Sequence, residues 1–409
     1  MLGTSFKVAV RNVTRNTRRT VITLAALIIG VAVILLARGL LDSVQQVLVS
    51  GVVEGLSGHI QVHKQGYTKA VDAAPLDYHF PADAELLTRI RSVEGVKAVA
   101  PRISFGGMLS NGQTTAMVFV RAMDPDLDPA VCPRAGEGLV RGSMPGARIP
   151  NGIAISDVMA EGMGIDIGAT LTLLSKTKDG AMNAYDVEVV GILRNALPGM
   201  SNRFGVVNMA FAQELLSMQG EVTEYIIALN SSDQLAVAQA AISKALKGGP
   251  LEAEVTNWMD VAPMFKDMLW MQNALFGLVT LVLFVVVLAG IANTMMMTVF
   301  ERVREIGTMM AVGIRRRTVL MIFVFEALTL GVIGGAIGVA IGGGIIGWMG
   351  YRGLDFRAPG VPTAVTIHPF TTPSYVMLAV GFAVIAALVS ALYPALKASR
   401  MRPAEALRS

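Results

Sequence analysis

Asn293-Thr-Met-Met-Met-Thr-Val-Phe-Glu-Arg-Val-Arg-Glu-Ile-Gly307, continued by Ala311-Val-Gly-Ile-Arg-Arg-Arg317, lies between two long apolar runs. Ala274–Ala292 leads into it and Val319–Met349 leads away. The stretch between them is charged, helical in pattern and too short to be a domain. A segment of this kind is what a membrane protein shows to a soluble partner on the cytoplasmic side.

The rest of the chain fits that reading. Of 409 residues 53% are hydrophobic and only 16% charged, with 42 Gly. This is too apolar for an ordinary soluble protein and too charged to be all membrane. Val21–Leu41, Leu275–Met297, Val319–Met349 and Tyr375–Leu396 are each long enough to cross a hydrocarbon core of about 30 Å. The fold class expected is an α-helical membrane protein with four transmembrane helices, one plus three, and a large α+β extracytoplasmic domain between the first and second. The expected divisions are a basic segment at 1–20, spans at 21–41, 272–298, 319–350 and 375–396, and an exported domain at 42–271. A cytoplasmic segment at 299–318, a short outer loop at 351–374 and a tail at 397–409 complete it. The third span is longer than a bilayer requires, so it must tilt, bend or project.

Lys and Arg set the orientation. Lys7, Arg11, Arg15, Arg18 and Arg19 precede the first span; Arg302, Arg304, Arg315, Arg316 and Arg317 sit between the second and third; Lys397, Arg400, Arg402 and Arg408 form the tail. No Lys or Arg occurs between Asp42 and His63. Both termini are therefore expected in the cytoplasm, with the large domain outside. The first span starts like a signal peptide, but its length, Arg38 at its exit and the lack of an Ala-x-Ala site favour an uncleaved anchor. The lone Cys132 gives no intrachain disulfide and reads as a small core or loop residue. The basic rims account for the net charge of +4, so nucleic-acid binding is not expected.

Within the exported domain, strands are predicted at Gly58–His63, Val96–Leu109, Thr115–Ala122, Thr170–Leu174, Tyr185–Leu193, Val206–Asn208, Glu224–Leu229 and Leu251–Thr256. Asn111-Gly112 signals a type I′ hairpin. Helices are predicted at Asp83–Val93, Ser156–Met163 with Ser156 as N-cap, Ala210–Met218 and Asp233–Leu246. Residues 42–125 and 221–257 read as one α+β subdomain and 126–220 as a β-rich insertion. Two connectors continue the spans outward. Leu41, Val44, Leu48 and Val52 share a helical face after the first, and Trp258–Met271, with Trp270 at interfacial depth, precedes the second. Such helices either carry rigid-body motion or simply hold the domain.

The catalytic inventory is short. No G-x-x-x-x-G-K-[ST] occurs, and the Gly-rich tract Gly331–Gly350 has no Lys, so this sequence cannot cradle a nucleotide phosphate in that way. His59 and His63 fall on one face of a strand, but without a third ligand they read as solvated side chains and no metal site is expected. Gly331, Gly335, Gly338 and Gly342 form small-xxx-small pairs suited to close helix packing, within the subunit or at a dimer seam. Glu326, the acidic residue well inside the third span, is either an interfacial packing partner or a mechanistic group.

The ordered motifs resemble a known family. Glu301-Arg-x-Arg-Glu-Ile-Gly307 with Ala311-x-Gly313 is similar to the coupling helix of FtsX/MacB/LolE-like permeases of ABC transporters. Tyr393-Pro-Ala-Leu-Lys-Ala-Ser-Arg400-x-Arg-Pro403-Ala-Glu-Ala-Leu407 and Arg11-Asn12…Arg15-Asn16…Arg18-Arg19-Thr20 resemble the family's ends. Gly58-His-Ile-Gln-Val-His-Lys-x-Gly-Tyr67 and Lys178–Gly191 lean toward its lipoprotein-releasing branch. The resemblance implies a permease subunit that pairs with a second permease subunit, identical or not, and with a cytoplasmic ABC ATPase dimer that binds ATP and Mg. It implies coupling through Glu301, Arg302, Arg304, Glu305, Ile306, Gly307 and Gly313, and a dimer seam or gate at Leu35, Leu283 and Val286. The implied activity is mechanotransmission: the ATPase stroke passes through stalks to an exported domain that extracts or exports a lipoprotein or other amphipathic substrate, with membrane lipids and a periplasmic carrier as further partners. The alternative is a non-transporting FtsX-like regulator of a periplasmic hydrolase or sensor. One departure stands out: Ser175–Ala184 is short where the carrier-gripping subunit has a long protruding hairpin.

Overall fold

The computed structural model describes residues 17–68, 76–194, 203–247, 252–261, 263–356 and 365–401. Lys7, Arg11, Asn12, Arg15 and Asn16 of the basic segment, Leu251 at the start of a predicted strand, and Arg402–Arg408 of the tail lie outside them. The chain divides into two compact units, one of Gln46–Met268 and one of the preceding residues with Leu269–Phe356 and Val365 onward.

The first helix, α1 (Thr17–Val52), runs unbroken past its apolar span. A π turn, Val53–Ser57, follows and stops at Gly58. Gly58 takes φ +66, and a Cβ there would stand 2.9 Å from the Ile227 carbonyl oxygen, so both the backbone and the space require glycine. The chain then builds β1 (Ile60–Lys64), β2 (Phe80–Pro81), α2 (Ala84–Arg91), β3 (Val96–Ser110), β4 (Thr115–Met123), α3 (Asp128–Val131), β5 (Leu139–Gly142), β6 (Gly152–Ser156) and α4 (Asp157–Met163). It continues through β7 (Thr170–Lys176), β8 (Met182–Leu193), β9 (Phe204–Asn208), α5 (Met209–Leu215), β10 (Glu221–Val222), β11 (Glu224–Leu229), α6 (Leu235–Leu246), β12 (Ala253–Asn257) and α7 (Trp258–Val261).

Ten of these strands form one sheet in the order β12-β1-β11-β3-β4-β9-β6-β8-β5, with β7 pairing β3 and β8 off that path. On one face Ile60, Val62, Ile103, Phe105 and Ile227 alternate inward and pack with Ile90 of α2 and Ile242 of α6. On the other, small Ala100 and Ala228 leave room for α3, whose Val131 and the following Cys132 pack with Ile226. Ser156 caps α4 by accepting from the Met159 N–H, the role its position predicts.

β3 runs from the β11 partner at Val96–Arg102 to the β7 partner at Gly107–Ser110, so residues 42–125 and the 126–220 insertion contribute to one sheet. A strand of this length carries one ladder through both regions. The hairpin at Asn111-Gly112 is no two-residue turn: residues 111–114 form the loop, and Asn111 Oδ1 accepts from the Gln113 and Thr114 N–H groups. That side chain supplies the turn's hydrogen bonds, so a tight I′ geometry is not needed. In the connector Trp258–Met271 the residues on either side of 262, which lies outside the described residues, are helical: α7 covers Trp258–Val261 and the next helix begins at Pro263.

In the other unit, α8 (Pro263–Glu301), α9 (Val303–Ala311), α10 (Arg316–Arg352), the hairpin β13 (Leu354–Phe356) and β14 (Val365–Ile367), and α11 (Pro373–Ser399) join α1. Four helices, α1, α8, α10 and α11, are long and apolar enough to cross a membrane. Residues Leu27, Val31 and Leu35 of α1, Ile291 of α8, Ala327 of α10 and Ala383 of α11 form part of the bundle core. The glycines of α10 set its packing on two sides. At Gly331 and Gly335 a Cβ would come within 3.0 Å of Ala387 Cβ and 3.3 Å of Ala383 Cβ in α11. At Gly338 and Gly342 it would come within 2.7 Å of Val31 Cβ and 3.0 Å of Ala32 Cα in α1. These glycines therefore meet helices of the same chain. Arg38, which interrupts the first span in sequence, donates to Asn273, pairs with Asp42 at 3.2 Å and lies 5.4 Å from the centroid of Phe276.

The glycine contacts carry a stability prediction. Gly338→Ala should lower the thermal midpoint of the detergent-solubilised protein by an amount corresponding to about 1–3 kcal/mol of overpacking. Gly343→Ala, where a Cβ meets nothing within 4 Å, should leave it unchanged or raise it. Equal losses at both positions would show that close approach to α1 is not the cause.

Candidate coupling site

The charged segment folds as a helix–break–helix. α8 carries its apolar run to Glu301, Arg302 leaves helical geometry at φ −104 and ψ 14, and α9 begins at Val303. α9 closes at Gly313, whose φ is +95, with Gly313 N–H donating to the Met310 carbonyl and Ile314 N–H to that of Met309. Arg315 is extended and starts α10. The break gives α9 a direction independent of both spans.

α9 is amphipathic and its inner face is anchored. Ile306 is fully buried among Val299 of α8, Val319 and Phe323 of α10, and Ala395 and Ala398 of α11. Gly307 is buried beside it. Arg302 is also buried, and its Nη1 lies 3.9 Å from Oε2 of the buried Glu326 in α10. Lys397 places its ammonium 4.8 Å from the Phe300 ring centroid. The outer face exposes Arg304, Glu305, Thr308, Ala311 and Val312, the last at 80%, followed by Gly313 and Arg315, Arg316 and Arg317.

The residues expected to meet a partner are therefore split. Arg304, Glu305 and Gly313 are on the exposed side, whereas Arg302, Ile306 and Gly307 turn into the bundle. Glu301 is exposed but ends α8, so Glu301 and Glu305 are not successive turns of one helix. Of the two readings for Glu326, the geometry supplies a packing partner: Arg302, across from α10. The signal was in the spacing, since Arg302 sits four residues before buried Ile306, on the same helical stripe.

Leu35, expected at a dimer seam, is 1% exposed and belongs to the core of its own bundle. Its heptad face points at Gly342, leaving Ile22 and Ile29 as outward residues of α1. Leu283 is half-buried and Val286 is 63% exposed. α8 is the least covered span, with 11% of its apolar window buried against 39% in the other three. On the stalk face, Leu41, Val44 and Leu48 are half-buried and Val52 fully buried; Trp270 is exposed.

His63 is not solvated. It is buried, stacked on Tyr67 at 4.2 Å between ring centroids, bonded to Gln61 at 3.0 Å and 3.8 Å from Glu224. Burial holds its pKa below the usual histidine range despite the nearby carboxylates. His59 instead meets Ser232 at 3.2 Å. Among the described residues no group of three or more His, Cys, Asp and Glu is placed to hold a metal ion.

Removing one charge of the Arg302–Glu326 pair should cost up to about 3 kcal/mol, because the other stays buried and loses an opposite charge 3.9 Å away. Glu326→Leu and Arg302→Met are expected to lower the thermal midpoint singly, and the double variant to recover most of the loss. Additive losses in the double variant would show that the two side chains act separately.

Comparison with known proteins places this geometry. A profile for the MacB-like periplasmic core domain matches residues 20–245, more than half of the chain, and one for the FtsX-like permease C-terminal matches residues 276–403. The macrolide export ATP-binding/permease protein MacB of Wolinella succinogenes is 24% identical over 426 residues, covering 99% of this chain and 60% of its own length. MacB of Azoarcus sp. is 29% identical over 59% of this chain and 38% of its own. The pyoverdine export ATP-binding/permease protein PvdT of Pseudomonas putida is 32% identical over 54% of this chain and 33% of its own. The chain thus spans less than two thirds of the curated relatives it matches. The periplasmic region of MacB from Actinobacillus actinomycetemcomitans superposes with a TM-score of 0.37 at 9% identity, over 54% of this chain and 98% of that one. With four membrane-length helices and a periplasmic-type α/β domain between the first and second, the chain belongs to the MacB-like family of FtsX-type ABC transporter permeases.

Proposed function

We propose that this permease works by mechanotransmission. A separate cytoplasmic ATPase dimer, carrying ATP and Mg, seats on the outer face of α9, and its closure moves α9 with the bundle to which it is anchored. A second permease subunit completes the membrane part, and the termini lie in the cytoplasm. The observation that carries the reading is the division of α9: its inner face is tied to α10 through Arg302 and Glu326, while Arg304, Glu305, Thr308 and Val312 face outward. A helix of this length needs no such tie merely to connect two spans.

The substrate we propose is an amphipathic molecule taken from the periplasmic side, such as a lipoprotein or a molecule of the kinds named for the relatives, macrolide and pyoverdine. The link from β7 to β8 is the tight turn Thr177–Ala181, closed by Thr177 N–H on the Ala181 carbonyl at 2.8 Å. Among the described residues this link offers no protruding loop for gripping a carrier protein, which favours direct handling of the substrate. The proposed seam between subunits uses α8, the helix with the most uncovered apolar surface.

Two measurements test this. Reversing both charges on the outer face, Arg304→Glu with Glu305→Lys, should reduce the co-purified ATPase, or the stimulation of its turnover by the permease, at least tenfold while the chain stays membrane-inserted and monodisperse. An unchanged, coupled complex would remove α9 from the contact. Cysteines at Ile29 or Val286 should crosslink between subunits, whereas one at Leu35 should not. Crosslinking at Leu35 in preference to Val286 would move the seam off the uncovered face of α8.

A further inference from the structure

The end of the α1 stalk is held by a buried ionic clasp on the sheet. A helix leaves its last carbonyl groups without intrahelical partners, and here three of them are met by groups from elsewhere in the same unit. The Leu56 carbonyl accepts from Arg102 Nη1 in β3. The Glu54 carbonyl accepts from the Arg134 N–H at 3.0 Å, and the Ser57 carbonyl from Gln61 Nε2 at 3.0 Å. Cys132 Sγ lies 3.8 Å from the Val53 carbonyl, and Arg134 Nη1 donates to Ser50 Oγ at 3.1 Å.

Arg102 is the centre of this arrangement. It is 2% exposed, and its second nitrogen forks onto the fully buried Asp128 of α3 at 2.8 and 3.1 Å, with Cys132 Sγ at 3.7 Å. Across the sheet it pairs in register with Glu224 of β11, which pairs with His63 of β1, so a row of polar side chains runs beneath the helix end. Burial alone would lower the Arg102 pKa, but Asp128 first, and then Cys132 and Glu224, raise it above its ordinary value. Arg121, the neighbouring cation, is drawn down to about 10 by burial and by Arg102 itself. A fixed positive charge at a helix C-terminus is favourable, and a guanidinium can hold a carbonyl and a carboxylate at once where an ammonium cannot hold both in plane. A buried ion pair is roughly neutral in stability against an apolar replacement, so stability alone does not account for it. What an apolar replacement would lose is the third contact, onto the stalk.

We infer that Arg102, positioned by Asp128, is the residue through which movement of the α1 stalk is passed to the sheet of the exported domain. The inference rests on the mechanical reading of the permease, and it makes β3, the strand that runs through both regions of the sheet, the receiving element. Arg102 touches no substrate; it is a positioning residue.

The test uses the full chain with the ATPase that co-purifies with it, followed by hydrogen exchange with and without ATP. In the natural protein, exchange should change on ATP binding both in Val47–Leu56 and in Val96–Ser110. In Arg102→Met with Asp128→Leu the stalk response should persist, while the β3 response falls at least tenfold and ATP turnover continues. Where that variant lost resting protection across the sheet, Arg102→Lys, which keeps a charge beside Asp128 and gives up the fork, carries the same reading. Val47→Pro, which breaks the rod before the clasp, should silence β3 as well. A β3 response at natural size in the clasp variants, with Val47→Pro silent, would overturn the role of Arg102 alone. No ATP response in the natural protein, or a natural response in Val47→Pro, would overturn the mechanical reading itself.

Discussion

Inside a bilayer, burying a side chain between helices gains little over leaving it in lipid, so the membrane unit depends on how closely its backbones approach. α10 supplies that approach. Its glycines accept α11 on one side and α1 on the other, at separations where even a methyl group would collide. Everything else in this unit is arranged around the helix so placed. Glu326 on α10 orients Arg302, Arg302 orients α9, and α9 turns a charged face outward. α8 is the membrane-length helix left least covered by its own chain.

Buried charge marks the two places where the chain changes direction. Arg302 stands at the break between α8 and α9, and Arg102 faces the end of α1. In each case the partner carboxylate is also buried. Such pairs are poor sources of net stability, since desolvation consumes most of the attraction, yet they tolerate few geometries. An apolar contact at either place would hold the elements together while letting them slide. At Arg102, a guanidinium bonded to the Leu56 carbonyl and the Asp128 carboxylate restricts where the helix end can sit. The same logic applies at the outer end of the bundle, where Arg38, Asp42, Asn273 and Tyr375 join three helices by hydrogen bonds and stacking.

The spans, the large domain between the first and second, and most of its strands were legible because each rests on a local pattern. Runs of about 20 apolar residues, alternation with period two, and Ser156 before a helix need no distant partner to be recognised. β6, by contrast, was missed: Gly152–Ser156 is entirely buried on both faces, so it shows no alternation. α3 was missed because four residues make too short a window for helical periodicity. That Leu35 lies in the core of its own bundle was not legible, because the direction of an all-apolar helix face cannot be read from a stretch where every position is apolar.

What the sequence determined by itself is therefore the membrane architecture, the charged segment between the second and third spans, and the family. These follow from solvent preference and local spacing, which act residue by residue. Only the tertiary structure decided which charges on that segment face outward, that Glu326 meets Arg302, and that Arg102 closes on Asp128 and the carbonyl of Leu56. Arg102 and Leu56 are far apart in the chain and belong to different elements. A buried arginine in a strand looks like any surface arginine until the groups that neutralise it are brought alongside, and that requires the fold.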